Sequence, residues 1–235
     1  MNTILQIFFS PKKAFKELKE ENNFPTMAFI IILVLIAVNL ILMIPITSKI
    51  TTLTLTQSSI PLSDQQLEQS LDIIYKLRYL TAISGVFSTA IILFLYAFLM
   101  YIITLIAKPV LGYIKSFTVM VYSYLALVFG GLVNTGLLYL QGIENITNPF
   151  EIELTGLCIF TTMDQAGGAL YAFLSLVNPF QLWFVVLLSI GLKVFTEMKY
   201  VKALLLCILF WLITTIFPVV SMILAEMTIK KAGFM

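Results

Sequence analysis

Apolar residues in this chain run in long unbroken blocks. They do not alternate as strands do, and they do not keep to one side as in the helices of a soluble domain. A helix needs roughly 20 consecutive apolar residues to cross the hydrocarbon of a bilayer. Five blocks are that long: 27–46 (MAFIIILVLIAVNLILMIPI), 82–107, 117–140, 172–195 and 203–224. None has Asp, Glu, Lys or Arg in its central part. The pattern predicts an all-α, polytopic membrane protein. It has a bundle of five transmembrane helices over 27–235 and a cytoplasmic amphipathic segment over 1–26. A cleavable signal peptide does not fit the first block: the region before it is too long, the apolar run is too long, and no small-x-small site follows.

The polar stretches between the blocks are unequal. Two connections are short and basic, near 108–116 and 196–202; two are long, 47–81 and 141–171. In the first long one, SSIPLSDQQLEQSLDIIYKLRYL starts with turn chemistry. It then places Leu67, Leu71, Ile74 and Leu77 at helical spacing, which predicts an amphipathic helix leading into the second span. The second carries the turn-like ENITNPFEIE and then LTGLCIFTTMDQAGGALYAF, apolar but broken by Gly156, Asp164, Gly167 and Gly168. The pattern leaves 154–171 open among an interfacial helix, a re-entrant helix and a sixth span. Pro45, Pro109 and Pro179 fall near expected helix ends, and Pro218 falls within the fifth block, where a kink is expected.

The opening MNTILQIFFSPKKAFKELKEENNFP has its own pattern. Ser10 suits an N-cap and Pro11 the first helical position. Ala14, Phe15 and Leu18 then recur at helical spacing among Lys12, Lys13, Lys16 and Lys19, and Asn22, Asn23 and Pro25 end the run. This predicts an interfacial helix with its apolar side towards lipid and its lysines towards anionic headgroups. The four lysines are also the candidate docking surface for a cytoplasmic partner.

Charge sets the orientation. With the N-terminus cytoplasmic, inside segments hold nine basic residues and outside segments five, and 141–171 has four acidic residues and no basic one. The positive-inside rule then places the N-terminus in the cytoplasm and the C-terminus outside. Composition agrees with a lipid solvent: 60% of residues are hydrophobic and only 11% charged, against about a quarter in a soluble domain. Mean hydropathy is +1.02. The net charge of +2, with lysines spread along the chain, gives no nucleic-acid footprint.

Histidine is absent, which removes the commonest general base and metal ligand. No HExxH, GxSxG or phosphate-binding loop occurs, and no pair of carboxylates lies within the spans. The expectation is a non-enzymatic protein with no cofactor and no metal. Cys158 and Cys207 read as small apolar residues. The deepest polar side chains are Asn39 and Asn134, expected to hydrogen-bond between helices. Ala126, Gly130 and Asn134 fall four apart on one face of the third span, a spacing that lets helices approach closely, within the chain first and in a homo-oligomer second.

Two stretches carry a family likeness. FFSPKKAFKELKEENNFP ahead of the first span resembles the start of bacterial members of the Ypt-interacting-protein (YIP) domain family. In NPFQLWFVVLLSIGLKVFTEMKYVKALLLCILFWLI, Phe180, Trp183, Leu187, Ile190, Gly191 and Leu192 are similar to that family's aromatic pair, leucine-rich run and Ile-Gly. The region of Gly112, Tyr113, Phe117 and 122–124 resembles the start of its third span. The resemblance implies a scaffold or accessory subunit of the bacterial cell membrane, working beside another integral membrane protein such as an ABC-class exporter, and it supplies no catalytic residue. The Rab-type GTPase binding of eukaryotic members uses a long cytoplasmic N-terminal region, and here only residues 1–26 precede the first span. The alternative reading is a transporter or lipid-handling protein with a lipid-accessible groove near Asn39 and Asn134.

Overall fold

The computed structural model describes residues 2–21, 24–57, 64–108, 110–148 and 152–231. Every regular element among them is helical. In chain order these are α1 (Asn2–Phe9), α2 (Pro11–Glu21), α3 (Thr26–Gln57), α4 (Asp64–Ala107), α5 (Tyr113–Gln141), α6 (Met163–Ala166), α7 (Gly168–Leu176), α8 (Pro179–Thr196) and α9 (Tyr200–Lys231). Two short 3-10 turns, Ile143–Asn145 and Leu157–Phe160, lie between α5 and α6.

Four segments are long and apolar enough to cross a membrane: Thr26–Leu55, Lys76–Ala107, Tyr113–Gln141 and Pro179–Thr196. Tyr200–Ile216, within α9, is a shorter apolar helix. The sequence blocks thus fall on α3, α4, α5, α8 and α9, but the boundaries differ in two places, each for a physical reason.

First, 47–57 of the expected connection 47–81 is helix and ends α3; 64–81 starts α4 and runs into the span, as the spacing of Leu67, Leu71, Ile74 and Leu77 predicts, and 58–63 lies outside the described residues. Pro45, expected near a helix end, lies inside α3. The Ser- and Thr-rich stretch after it stays helical because its hydroxyls donate to the helix's own carbonyls. Thr47 Oγ1 reaches Met43 O at 3.0 Å, Ser48 Oγ reaches Ile44 O at 2.8 Å, and Thr51, Thr52 and Thr54 each reach the carbonyl four residues back at 2.8–3.0 Å.

Second, the expected span 172–195 is broken at Val177–Asn178, between α7 and α8. Pro179 disfavours helical geometry in the residue before it and itself suits the first helical position. Of the alternatives left open for 154–171, no helix there has the length of a sixth span. The longest helix between α5 and α8 is α7, with nine residues, about 13 Å of rise against a hydrocarbon layer of about 30 Å. The pattern also does not anticipate α1 as a separate helix.

The fold divides into two compact units. The first comprises Met1–Ile36, Phe87–Gly130 and Pro179–Thr215. Its core gathers Phe15, Phe117, Phe184 and Phe210 with Met100, Met120, Leu187 and Leu188. Phe117 stacks on Phe94 at 4.7 Å and on Phe24 at 5.0 Å between ring centroids. The second comprises Ala37–Val86, Gly131–Asn178 and Ile216–Met235. Its smaller core is Ile46, Leu138 and Ile146, flanked by Met43, Ile50, Ile152 and Leu154.

Candidate functional site

In the first unit, α2 is mounted on protein, not laid on lipid. Ala14, Phe15 and Leu18 are buried against the fold while Lys12, Lys13 and Lys16 are exposed. Phe15 is 0% exposed. A Cβ at Gly191 of α8 would meet the Phe15 ring at 3.0 Å and Val119 of α5 at 2.7 Å. Glycine at 191 is what lets α2, α5 and α8 meet there. This corrects the expected lipid-facing side of the N-terminal helix: the apolar stripe is real, but its partner is α8.

Lys19 completes the mount. Its Nζ donates to Val194 O at 3.1 Å and to Glu197 Oε1 at 2.7 Å. α8 ends as the chain turns through Glu197 in the left-handed region (φ 60°), where a non-glycine residue is uncommon. A cation at a helix C-terminus meets both the free carbonyls and the negative end of the dipole. The hydrogen bond from Lys19, and then its charge, hold the Glu197 carboxyl below the ordinary carboxylate range.

The end of α4 repeats the arrangement. Lys108 also adopts the left-handed region (φ 41°), and Lys202 Nζ donates to Ala107 O at 2.8 Å and Lys108 O at 2.7 Å. Of the four candidate docking lysines, Lys19 is therefore committed to holding α2. Lys12, Lys13 and Lys16 are displayed to solvent, with Lys13 4.0 Å from Glu17 one turn on. Lys202, Glu197 and Gly191 have structural roles that sequence spacing did not reveal. In the sequence Gly191 stands out only within a family likeness, and its position between bulky apolar residues is the signal that marks it.

The other candidate residues separate between the units. Ala126 and Gly130, both buried, belong to the first. A Cβ at Gly130 would lie 2.6 Å from Cγ of Phe180, so this glycine admits the aromatic ring at the start of α8. Asn39 and Asn134 belong to the second unit and hydrogen-bond to different partners. Asn39 Oδ1 accepts from Thr135 Oγ1 at 2.8 Å, linking α3 to α5. Asn134 turns to the connection after α5. Its Nδ2 donates to Ile152 O at 3.0 Å, and its Oδ1 accepts from Leu154 N at 2.7 Å. The amide thus mimics a strand neighbour, pairing with the acceptor and the donor that residues 152 and 154 present on one edge of the backbone. Tyr139 Oη reaches Leu42 O at 2.7 Å, and Lys49 lies 3.6 Å from Glu144.

What this arrangement does is hold helices and connections in place. Among the described residues, no group of three or more His, Cys, Asp or Glu gathers as a metal-binding set. The fold defines the class: an all-helical, multi-pass membrane protein. The family model of the Yip1 domain matches residues 5–222, and the chain belongs to that family. Neither a curated protein nor a solved structure gives a match.

Proposed function

We propose that this protein is a non-enzymatic scaffold or accessory subunit of the cell membrane, and that the exposed face of α2 is where it meets its partner. The observation that carries the reading is the mounting of α2. Phe15 is fully buried and Lys19 is bonded to α8, so Lys12, Lys13 and Lys16 are held on a fixed platform. A helix that only oriented the first span would gain nothing from a glycine-cut seat on another helix. Further support comes from Asn39 and Asn134, whose side chains are engaged by Thr135 and by the backbone of 152 and 154.

The partner class is another integral membrane protein with an acidic cytoplasmic surface, and an ABC-class exporter fits that description. The first unit holds nine lysines and four glutamates, the second five basic and eight acidic residues. That asymmetry supports an orientation with the N-terminus cytoplasmic and the C-terminus external.

The test is site-specific photo-crosslinking in native membranes, with the crosslinker at positions 12, 13 and 16 and buried position 14 as control. The expected result is a heterologous membrane protein captured from the three exposed positions and not from 14. Capture of lipid alone, or of the same chain alone, overturns the docking role.

A further inference from the structure

The connection between α5 and α8 holds a closed helical hairpin that the scaffold reading does not use. Leu157 N donates to Val177 O at 3.1 Å, which ties the start of the 3-10 turn Leu157–Phe160 to the end of α7. A Cβ at Gly156 would lie 2.7 Å from Ser175 O, so the two arms touch backbone to backbone only because residue 156 is glycine. Thr162 caps α6 with Gln165 in a reciprocal capping box, which fixes the bend between the arms. The hairpin is a built element.

Its surface is apolar where a water-facing loop would be polar. Leu157, Ile159 and Leu170 are each about half exposed, and Phe160 is 81% exposed. From 141 to 178 there is no lysine or arginine. Chain connectivity tethers the hairpin to a spanning segment. Val177 is two residues from Pro179, which opens a segment apolar enough to span, and two residues reach at most about 7 Å. At the other end the chain leaves α5 through Leu140, itself 85% exposed. Apolar side chains on a hairpin tethered to a spanning segment are covered by acyl chains at little cost once they enter the acyl boundary. Left in the headgroup layer, each would keep its apolar surface in water.

We infer that the hairpin 157–177 is a membrane-interface anchor, inserting Leu157, Ile159, Phe160 and Leu170 into the acyl boundary of the leaflet on its own side. The partner is the phospholipid bilayer itself. With no basic residue in the segment and acidic residues at Glu144, Glu153 and Asp164, insertion rests on apolar contact and needs no anionic headgroup. α7 is too short to cross, so the hairpin dips in and returns.

The experiment places a nitroxide spin label at Phe160→Cys, and separately at Leu157→Cys and Ile159→Cys, in a background with Cys158 and Cys207 replaced by alanine. The full chain is reconstituted in phosphatidylcholine vesicles. Collision rates with molecular oxygen and with a neutral nickel chelate report depth, with Glu144→Cys, at a side chain 91% exposed, as the aqueous reference. The expected result is oxygen collision several-fold above chelate collision at 160, the reverse at 144, and no change at 160 when a third of the lipid is phosphatidylglycerol. Free access of the chelate to 160 overturns the inference, because the tip is then in water. Protection from both reagents overturns it too, because a protein then covers the patch. Insertion only in the anionic vesicles also overturns it. The three label positions guard against one variant failing to fold, and none of them touches α2, so failure here leaves the docking reading standing.

Discussion

Gly191 decides whether α2 is held by protein or by lipid, and substituting it tests the mount without altering α2 itself. A methyl at 191 would sit 3.0 Å from two carbons of the Phe15 ring and 2.7 Å from Val119 Cγ1. Both separations are too short, so the ring, the valine or the helix must move. Overpacking of this kind costs about 1–3 kcal/mol. Part is returned to α8, because alanine in a helix is better than glycine by about 0.5–1 kcal/mol; that gain stays with α8 and does not hold α2. The docking of α2 should therefore weaken by about 1–3 kcal/mol in Gly191→Ala, roughly 5- to 150-fold in the docking equilibrium. Gly191→Leu removes the seat altogether. The loss then approaches that of truncating the buried ring in Phe15→Ala, about 3–5 kcal/mol, or at least two decades. The assay is hydrogen–deuterium exchange of residues 11–21 in lipid nanodiscs, with 93–103 of α4 as internal control. Protection over 11–21 should fall in the order wild type, Gly191→Ala, Gly191→Leu while α4 keeps its own. If the Gly191 variants leave 11–21 unchanged while Phe15→Ala exposes it, α2 is held by lipid and the argument from the seat is wrong.

Three further outcomes follow from the same contacts. The Glu197 carboxyl is held low by Lys19, so its contribution is full above the ordinary carboxylate range and is lost only as pH falls through its depressed native value. Protection of α2 should stay flat from neutral pH down to that range and drop below it, and Glu197→Gln should abolish the drop; a drop centred near neutrality would contradict this. Asn134→Leu removes both partners of the 152–154 backbone and leaves a donor and an acceptor unpaired, at about 1–3 kcal/mol. Limited proteolysis after α5 should accelerate roughly 5- to 150-fold, and an unchanged cleavage rate would dismiss the clamp. Gly130→Val puts a side chain where Phe180 lies 2.6 Å from the glycine's Cβ position. The thermal midpoint in detergent should fall while the mass in solution stays the same, and a changed oligomer with unchanged stability would instead make that face an interface between copies.

The helical spans were legible because bilayer thickness sets a length that composition alone can meet: the blocks opening at Met27, Ala82 and Phe117 all lie within α3, α4 and α5. The ends were less legible. Ser and Thr after Pro45 read as a loop because their hydroxyls need partners, and in a linear sequence water is the obvious partner. The helix supplied its own carbonyls instead. Asn178–Pro179 carried enough information to break the expected span 172–195, yet the apolar residues on both sides outweighed it. An interfacial or re-entrant helix within 154–171 is among the readings of the pattern, but the hairpin's closure is not legible, because it depends on Leu157 meeting Val177, a contact between residues whose identities say nothing about each other.

The N-terminal helix shows where pattern reading reaches its limit. The positions of Ala14, Phe15 and Leu18 determine that α2 has an apolar face, and any apolar medium satisfies that face equally well. Lipid and a helix surface are alike in this respect, since acyl chains are as apolar as leucine. What separates them is shape. Lipid adapts to any side chain, whereas a protein seat must be cut to fit. A glycine in the second half of α8, flanked by Ile190 and Leu192, is such a cut, since glycine costs a helix stability and close approach is what offsets that cost. The same logic reads Gly130 against Phe180 and Gly156 against Ser175. In each case the informative residue is the one without a side chain, and the aromatic ring or backbone that fills its place comes from a distant part of the chain. In a membrane protein with few charges, such seats fix the packing, and Lys19 on Val194 and Glu197 then sets how far along α8 the helix sits.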